Sequence, residues 1–339
     1  MKFELPLKIP QNPSFPGYAA LFSMLCSNDR TADWINSNFI QIHALDIVNR
    51  DKSLAHPFLA GFLSFADDRP LDPASDEFIF MPRDGLCPWL NMFEVPNEAV
   101  NGSFISFYKH CLLQGYYIYT FVDVQKINNY SLTESYSHPI LIFGFNDDTQ
   151  KLNVADFLFN TTKKYSMFEC SFAEMDRAIE SEASLSIPYL KTLTLIQHNK
   201  FYEYTFDFER VRNKIFSYIC PDVNKEKEYG DYCTALYSIV GWDIKAYFGV
   251  NSYNYFANFI DKELSLGKPT IDIRLFHSMY EHKGLMLTRL HYLVENGYIS
   301  GNSQHLSEYR EIEKMMLLIR NKLLKFNVTE KVELLKNVR

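Results

Sequence analysis

The stretch "SHPILIFGFNDDTQKLNVADF", Ser137 to Phe157, reads as two strands joined by a tight turn. Ile140 to Phe145 is an apolar run, Asn146-Asp147-Asp148 supplies turn chemistry, and Leu152 to Phe157 returns as a second strand. His138 stands at the opening end and Asp156 near the closing end, eighteen positions apart. Antiparallel pairing around one turn brings these ends side by side. An imidazole oriented by a carboxylate is the acid–base part of many catalytic sites. The plain alternative is a His and an Asp that only cap strand ends.

Outward from this hairpin, "GYYIYTFVDVQKINNY" reads as a strand carrying an acid, Asp123, and "NEAVNGSFISFYKHCLLQG" as a helix stopped by Gly115. Near the start of the chain, Pro16-Gly17 opens an apolar helix, "YAALFSMLCS". A second helix is predicted over "RTADWINSNFIQIHALDIV", with Trp34, Phe39, Ile42 and Leu45 facing inward. Prolines and aspartates between Asn49 and Pro96 predict irregular structure with short strands such as "EFIFM".

After about residue 165 the pattern turns helical, opening with "SFAEMDRAIESE" and interrupted by one strand-like stretch, "IPYLKTLTLIQH". Helices are predicted around 208–220, 231–247, 252–266, 270–296 and 307–326. In 270–296, Ile271, Leu275, Met279, Met286, Leu290 and Leu293 form an apolar stripe of the kind that faces a core. The order predicts an α+β domain with an antiparallel sheet and N-terminal helix over 1–170. A mainly helical domain follows over 171–339.

Composition narrows the function classes. The 339 residues are 47% apolar and 16% aromatic, enough for large, aromatic-rich cores. A net charge of −7 argues against nucleic acid as a main partner, because phosphate binding calls for clustered Lys and Arg. No stretch supplies the roughly 18–20 uninterrupted apolar residues of a membrane span. No secretory signal is read at the N-terminus. The six cysteines show no Cys-x-x-Cys or metal-ligand spacing, so reduced thiols and a cytoplasmic setting are expected. With no phosphate-binding Gly loop, dinucleotide fingerprint, Gly-x-Ser-x-Gly elbow or His-Glu-x-x-His, no cofactor and no metal are expected. Asp67, Asp68, Arg69 and Asp72 lack calcium-site spacing.

The segment "HPILIFGFNDDTQKLNVADF" resembles the His-strand-turn-strand-Asp segment of the bacteriocin-processing branch of papain-like proteins. It is most similar to the butirosin biosynthesis protein H N-terminal family. "GYYIYTFVDVQKINNY" and the carboxy-terminal "IDIRLFHSMYEHKGLMLTRLHYL" share that look. The resemblance implies a papain-like cysteine-protease-type fold with His138 and Asp156 as the catalytic pair. It also implies acyl transfer in nonribosomal peptide-type antibiotic biosynthesis, from a carrier-protein thioester to a small-molecule amine.

One departure bears on chemistry. Where the family carries Cys before Gly at the start of the first helix, this chain has Pro16 before Gly17. Cys26 comes ten residues later, about 15 Å along a helix. Backbone N–H groups near Gly17 and Tyr18 are candidates for oxyanion stabilisation, and Ser14, Tyr18 and Asp123 for lining the cleft. Direct aminolysis of a thioester needs no thiol, because the acyl group is already activated. The competing reading is a non-catalytic module that docks a carrier protein or peptide. His277 and Glu281, one helical turn apart near Arg274, read as surface support, with His282 and Lys283 pointing elsewhere.

Overall fold

The computed structural model describes residues 1–11, 16–47, 87–158, 161, 164–181, 191–236, 241, 243–265, 271–301 and 303–335. Its first elements are β1 (Lys2–Glu4), α1 (Pro16–Leu25), α2 (Ala32–Ser37), β2 (His43–Ile47), β3 (Leu90–Pro96) and α3 (Phe104–Leu113). Next come β4 (Tyr117–Asp123), β5 (Ser137–Asn146), β6 (Lys151–Phe157), β7 (Tyr165–Ser171), α4 (Phe172–Glu180) and β8 (Thr192–His198). The chain ends with α5 (Phe208–Ile219), α6 (Val223–Leu236), β9 (Ile244–Phe248), α7 (Ser252–Ser265), α8 (Arg274–Glu295) and α9 (Ser303–Thr329).

Two compact units result: Met1–Ala32 with Phe78–Tyr204, and Asp33–Glu77 with Thr205–Arg339. This corrects the predicted division at 170/171. The strand-like stretch before residue 199 is β8, which pairs between β3 and β4 and so belongs inside the first sheet. β2 pairs antiparallel with β9, about two hundred residues away, and this carries residues from Asp33 into the second unit.

In the first unit the strand order is β3-β8-β4-β5-β6-β7, antiparallel throughout, with β1 beside the end of β5. Alternation sends Val122, Ile140, Ile142, Leu152 and Val154 to one face, where they pack with Ile105, Tyr108 and Leu112 of α3 and Met175 and Ile179 of α4. Ser103 caps α3, accepting from the Ser106 N–H, so this helix starts seven residues after the predicted Asn97. Gly115, at φ +86°, follows its end as predicted. Ser171 and Glu174 form a capping box on α4.

α1 packs against β5 and β6. Ser23 Oγ on α1 lies 3.1 Å from Tyr165 Oη. Tyr165 pairs with Phe157, out of phase with Leu152, Val154 and Asp156. α1 therefore covers the opposite face of the sheet. Gly144 marks a β-bulge where three strands converge: a Cβ there would lie 2.7 Å from Phe3 O and 3.0 Å from Asn153 Nδ2.

In the second unit α5, α7, α8 and α9 enclose a core that includes Phe256, Phe276, Met279, Met286, Leu323 and Phe326. The predicted stripe is buried at Ile271, Leu275, Met279, Met286 and Leu293 and half-buried at Leu290. Two predicted helices are corrected. The helix over Arg30–Val48 stops at Ser37; the chain turns through Phe39, at φ 59°, and becomes β2. The helix over 231–247 stops at Leu236, and Ile244–Phe248 is β9. Ile42, Leu45, Ile244, Tyr247 and Phe248 suit a strand, and among the described residues β2 and β9 pair with each other alone. All six cysteines are free, and no helix among the described residues is long and apolar enough to cross a membrane.

Candidate functional site

β5 and β6 run antiparallel, and the register pairs Val122 of β4 with His138. His138 Nδ1 lies 2.9 Å from Asp156 Oδ2, so the hairpin brings the two residues together. Tyr130, fully buried in the loop between β4 and β5, donates its hydroxyl to the same oxygen. Burial, reinforced by the Asp156 charge, raises the Tyr130 pKa well above the ordinary phenol value. Tyr130 therefore stays a protonated donor, and Asp156 Oδ2 faces both it and His138 Nδ1. With the proton on Nδ1, the acceptor nitrogen of the imidazole is Nε2.

Exposure fits this division. The Asp156 side chain is 1% exposed and that of His138 12%. The Tyr136 ring stacks on the imidazole, with centroids 5.7 Å apart at 30°. Nothing in the sequence spacing marks Tyr130 or Tyr136; both lie in a loop whose path depends on Asp123.

Asp123 is buried and spent on that loop. It accepts from the N–H groups of Gln125 and Tyr136, at 3.2 and 3.0 Å, and from the hydroxyls of Ser135 and Ser181. Burial alone would push its carboxyl up, but these hydrogen bonds outweigh it and hold the pKa below the usual value. Asp123 is thus a fastener that sets the position of Tyr136, in place of the cleft-lining role expected from sequence.

Gly17 is half-buried and Tyr18 buried at the start of α1. Strand alternation assigns His138 and Asp156 to the face with Ile140, Ile142 and Val154, opposite the face that α1 covers. The single corner joining Pro16-Gly17 to the pair, expected from sequence, is not what these faces build. Ser14, the acidic loop of Asp67, Asp68, Arg69 and Asp72, and "EFIFM" lie outside the described residues.

Cys26 sits one residue past α1, partly exposed, with its thiol pKa raised by burial against the opposing pull of Lys8. A raised pKa leaves little thiolate at neutral pH. Cys26→Ala is therefore expected to leave any activity largely intact. A loss of more than about tenfold without loss of fold, the scale of a removed catalytic group, would identify Cys26 as the nucleophile.

The second unit holds a buried polar cluster on α8, and Glu281, read from sequence as surface support, belongs to it. Glu281, His282, Lys283 and Arg289 of α8 are each 3% exposed or less. Arg289 Nε donates to Asn36 O at 2.8 Å and its Nη2 to Asn38 O. His282 Nε2 lies 2.8 Å from Ile40 O. These bonds satisfy carbonyls released where α2 ends, so their first role is to hold that turn. Lys283 Nζ donates to Tyr218 Oη and lies 5.0 Å from the ring centroids of Tyr218 and Tyr253.

Burial lowers the Lys283 pKa from 10.5 to about 7. Between those values the unfolded chain binds more protons than the native one, so this residue makes stability rise with pH across the window. Below about 7 its penalty is fully present. Lys283→Met is expected to stabilise the fold at neutral pH and to flatten that rise. Urea unfolding at both ends of the window checks it; an unchanged slope would contradict the assignment.

No protein-family model matches the chain, and no curated protein matches it.

Proposed function

We propose that the first unit is a papain-like acyltransferase that makes an amide from a carrier-bound thioester and an amine, with His138 as general base. The supporting observation is the imidazole itself: its Nδ1 is fixed by a buried Asp156–Tyr130 pair, and its side chain reaches the surface beside Tyr136. The resemblance of the hairpin to the butirosin biosynthesis protein H N-terminal family supplies the substrate class: an acyl or peptidyl carrier protein and a small-molecule amine in nonribosomal peptide-type biosynthesis.

The amine nitrogen attacks the thioester carbonyl while His138 Nε2 takes its proton. The tetrahedral intermediate then expels the carrier thiolate, which recovers that proton from the imidazolium. A C–N bond forms, a C–S bond breaks, and no acyl-enzyme is needed. Asp156 holds the tautomer throughout and stabilises the imidazolium. Pro16 and the high-pKa Cys26 fit a reaction without a thiol nucleophile. Six free cysteines suit a reducing cytoplasm.

The test is incubation with a panel of acyl-carrier thioesters and amines, read as amide product and free carrier thiol. Product above the uncatalysed aminolysis rate supports the proposal. Tight carrier binding with no turnover on any thioester would replace it with the docking reading.

A further inference from the structure

α9 is 27 residues long, and only part of its circumference meets the second unit. Met316, Leu323 and Phe326 are buried in the core, whereas Met315 and Leu318 are 55% and 54% exposed. These two belong to a stripe on one flank: Glu308, Glu311, Met315, Leu318, Lys322 and Lys325, at alternating spacings of three and four. That is the seam spacing of paired helices. All six are exposed except Lys322, which is intermediate.

The order of residue types along the stripe is two acids, two apolar residues, two lysines. Reversed, it is its own complement. We propose that a second copy of this chain docks here, its α9 antiparallel to the first about a two-fold axis between Met315 and Leu318. Glu308 then faces Lys325 of the partner subunit, Glu311 faces the partner's Lys322, and Met315 packs on the partner's Leu318. A parallel arrangement would set acid against acid and lysine against lysine, so charge selects the antiparallel one.

Existing bonds do not compete strongly. Glu311 pairs with Lys314 at 2.7 Å and Glu308 with His305 at 3.6 Å, all on exposed side chains. Such surface pairs contribute little and exchange readily. The stripe spans about 25 Å of helix. A single helix pair falls short of the ~1,600 Å² buried in standard stable complexes. The dimer is therefore weak and salt-sensitive, with charge setting orientation and the two apolar residues forming the centre.

The experiment is sedimentation of the full chain from about 1 µM to about 1 mM, at low and high salt. Dimer is expected to accumulate with concentration at low salt and to weaken at high salt. Glu308→Lys with Glu311→Lys makes both ends of the stripe basic; Lys322→Glu with Lys325→Glu makes both acidic. Each variant alone is expected to be monomeric, and an equimolar mixture is expected to form a heterodimer. Three of the four sites are exposed on α9 and Lys322 is partly exposed, so the fold is expected to be kept. A monomeric wild type across the range, undiminished self-association of either variant, or a mixture that stays monomeric would overturn the proposal.

Discussion

Replacing His138 by alanine is expected to slow amide formation by about 10²–10⁴-fold, the range supplied by a positioned general base. The loss should fall on kcat, because carrier contacts made elsewhere are retained. Asp156→Asn keeps the side-chain shape but can set an amide NH2 where an acceptor oxygen faces Nδ1, and so no longer fixes the ring proton there. It should therefore cost activity through the wrong tautomer. Asp156 is 1% exposed and also accepts from Tyr130, so thermal unfolding must accompany the kinetics. A rate loss with the melting temperature kept assigns the pair to chemistry. Unchanged turnover in both variants, with affinity or stability altered instead, would assign it to the scaffold.

Gly249→Ala is expected to be the most damaging single-methyl change in the second unit. Gly249 sits at φ +49°, directly after β9, and its N–H donates to Ile42 O at 2.8 Å. An added Cβ would lie 2.1 Å from Tyr218 O and 2.9 Å from Tyr218 C. Those are backbone atoms of α5, which cannot swing aside as a side chain can. The clash adds to the strain of a left-handed backbone, for a loss of about 4 kcal/mol or outright failure to fold. Gly144→Ala meets the short edge strand β1, which is freer to shift, and so should cost less. Urea unfolding measures both; a change under about 1 kcal/mol at Gly249 would show that α5 can move away.

The hairpin was readable because everything it needs is local: an apolar run, turn residues, and a second run in matching phase. α1 and the core face of α8 were readable for the same reason, through Pro16-Gly17 and the Ile271–Leu293 stripe. The failures share the opposite cause. β2 lay inside a predicted helix because its partner β9 is about two hundred positions away, and neither strand declares itself alone. β8 was placed in the wrong domain because its slot between β3 and β4 is a long-range pairing. Asp123 looked like a site acid because a sequence shows the carboxylate but not the four donors that surround it. Glu281 read as surface support because charge usually marks solvent, yet it is buried with His282, Lys283 and Arg289. Only the ending of α2, with carbonyls needing donors, explains why Arg289 and His282 are drawn inside.

The most direct test of general-base aminolysis without a covalent intermediate is intact-protein mass spectrometry of the wild type during turnover. Samples are quenched at early times in the presence of a productive carrier thioester and amine, and again with the amine left out. The protein mass is predicted to stay that of the unmodified chain in both series while amide accumulates only in the first. An added acyl mass that forms without amine and discharges when amine is supplied would contradict this, and would show that the chain carries a nucleophile.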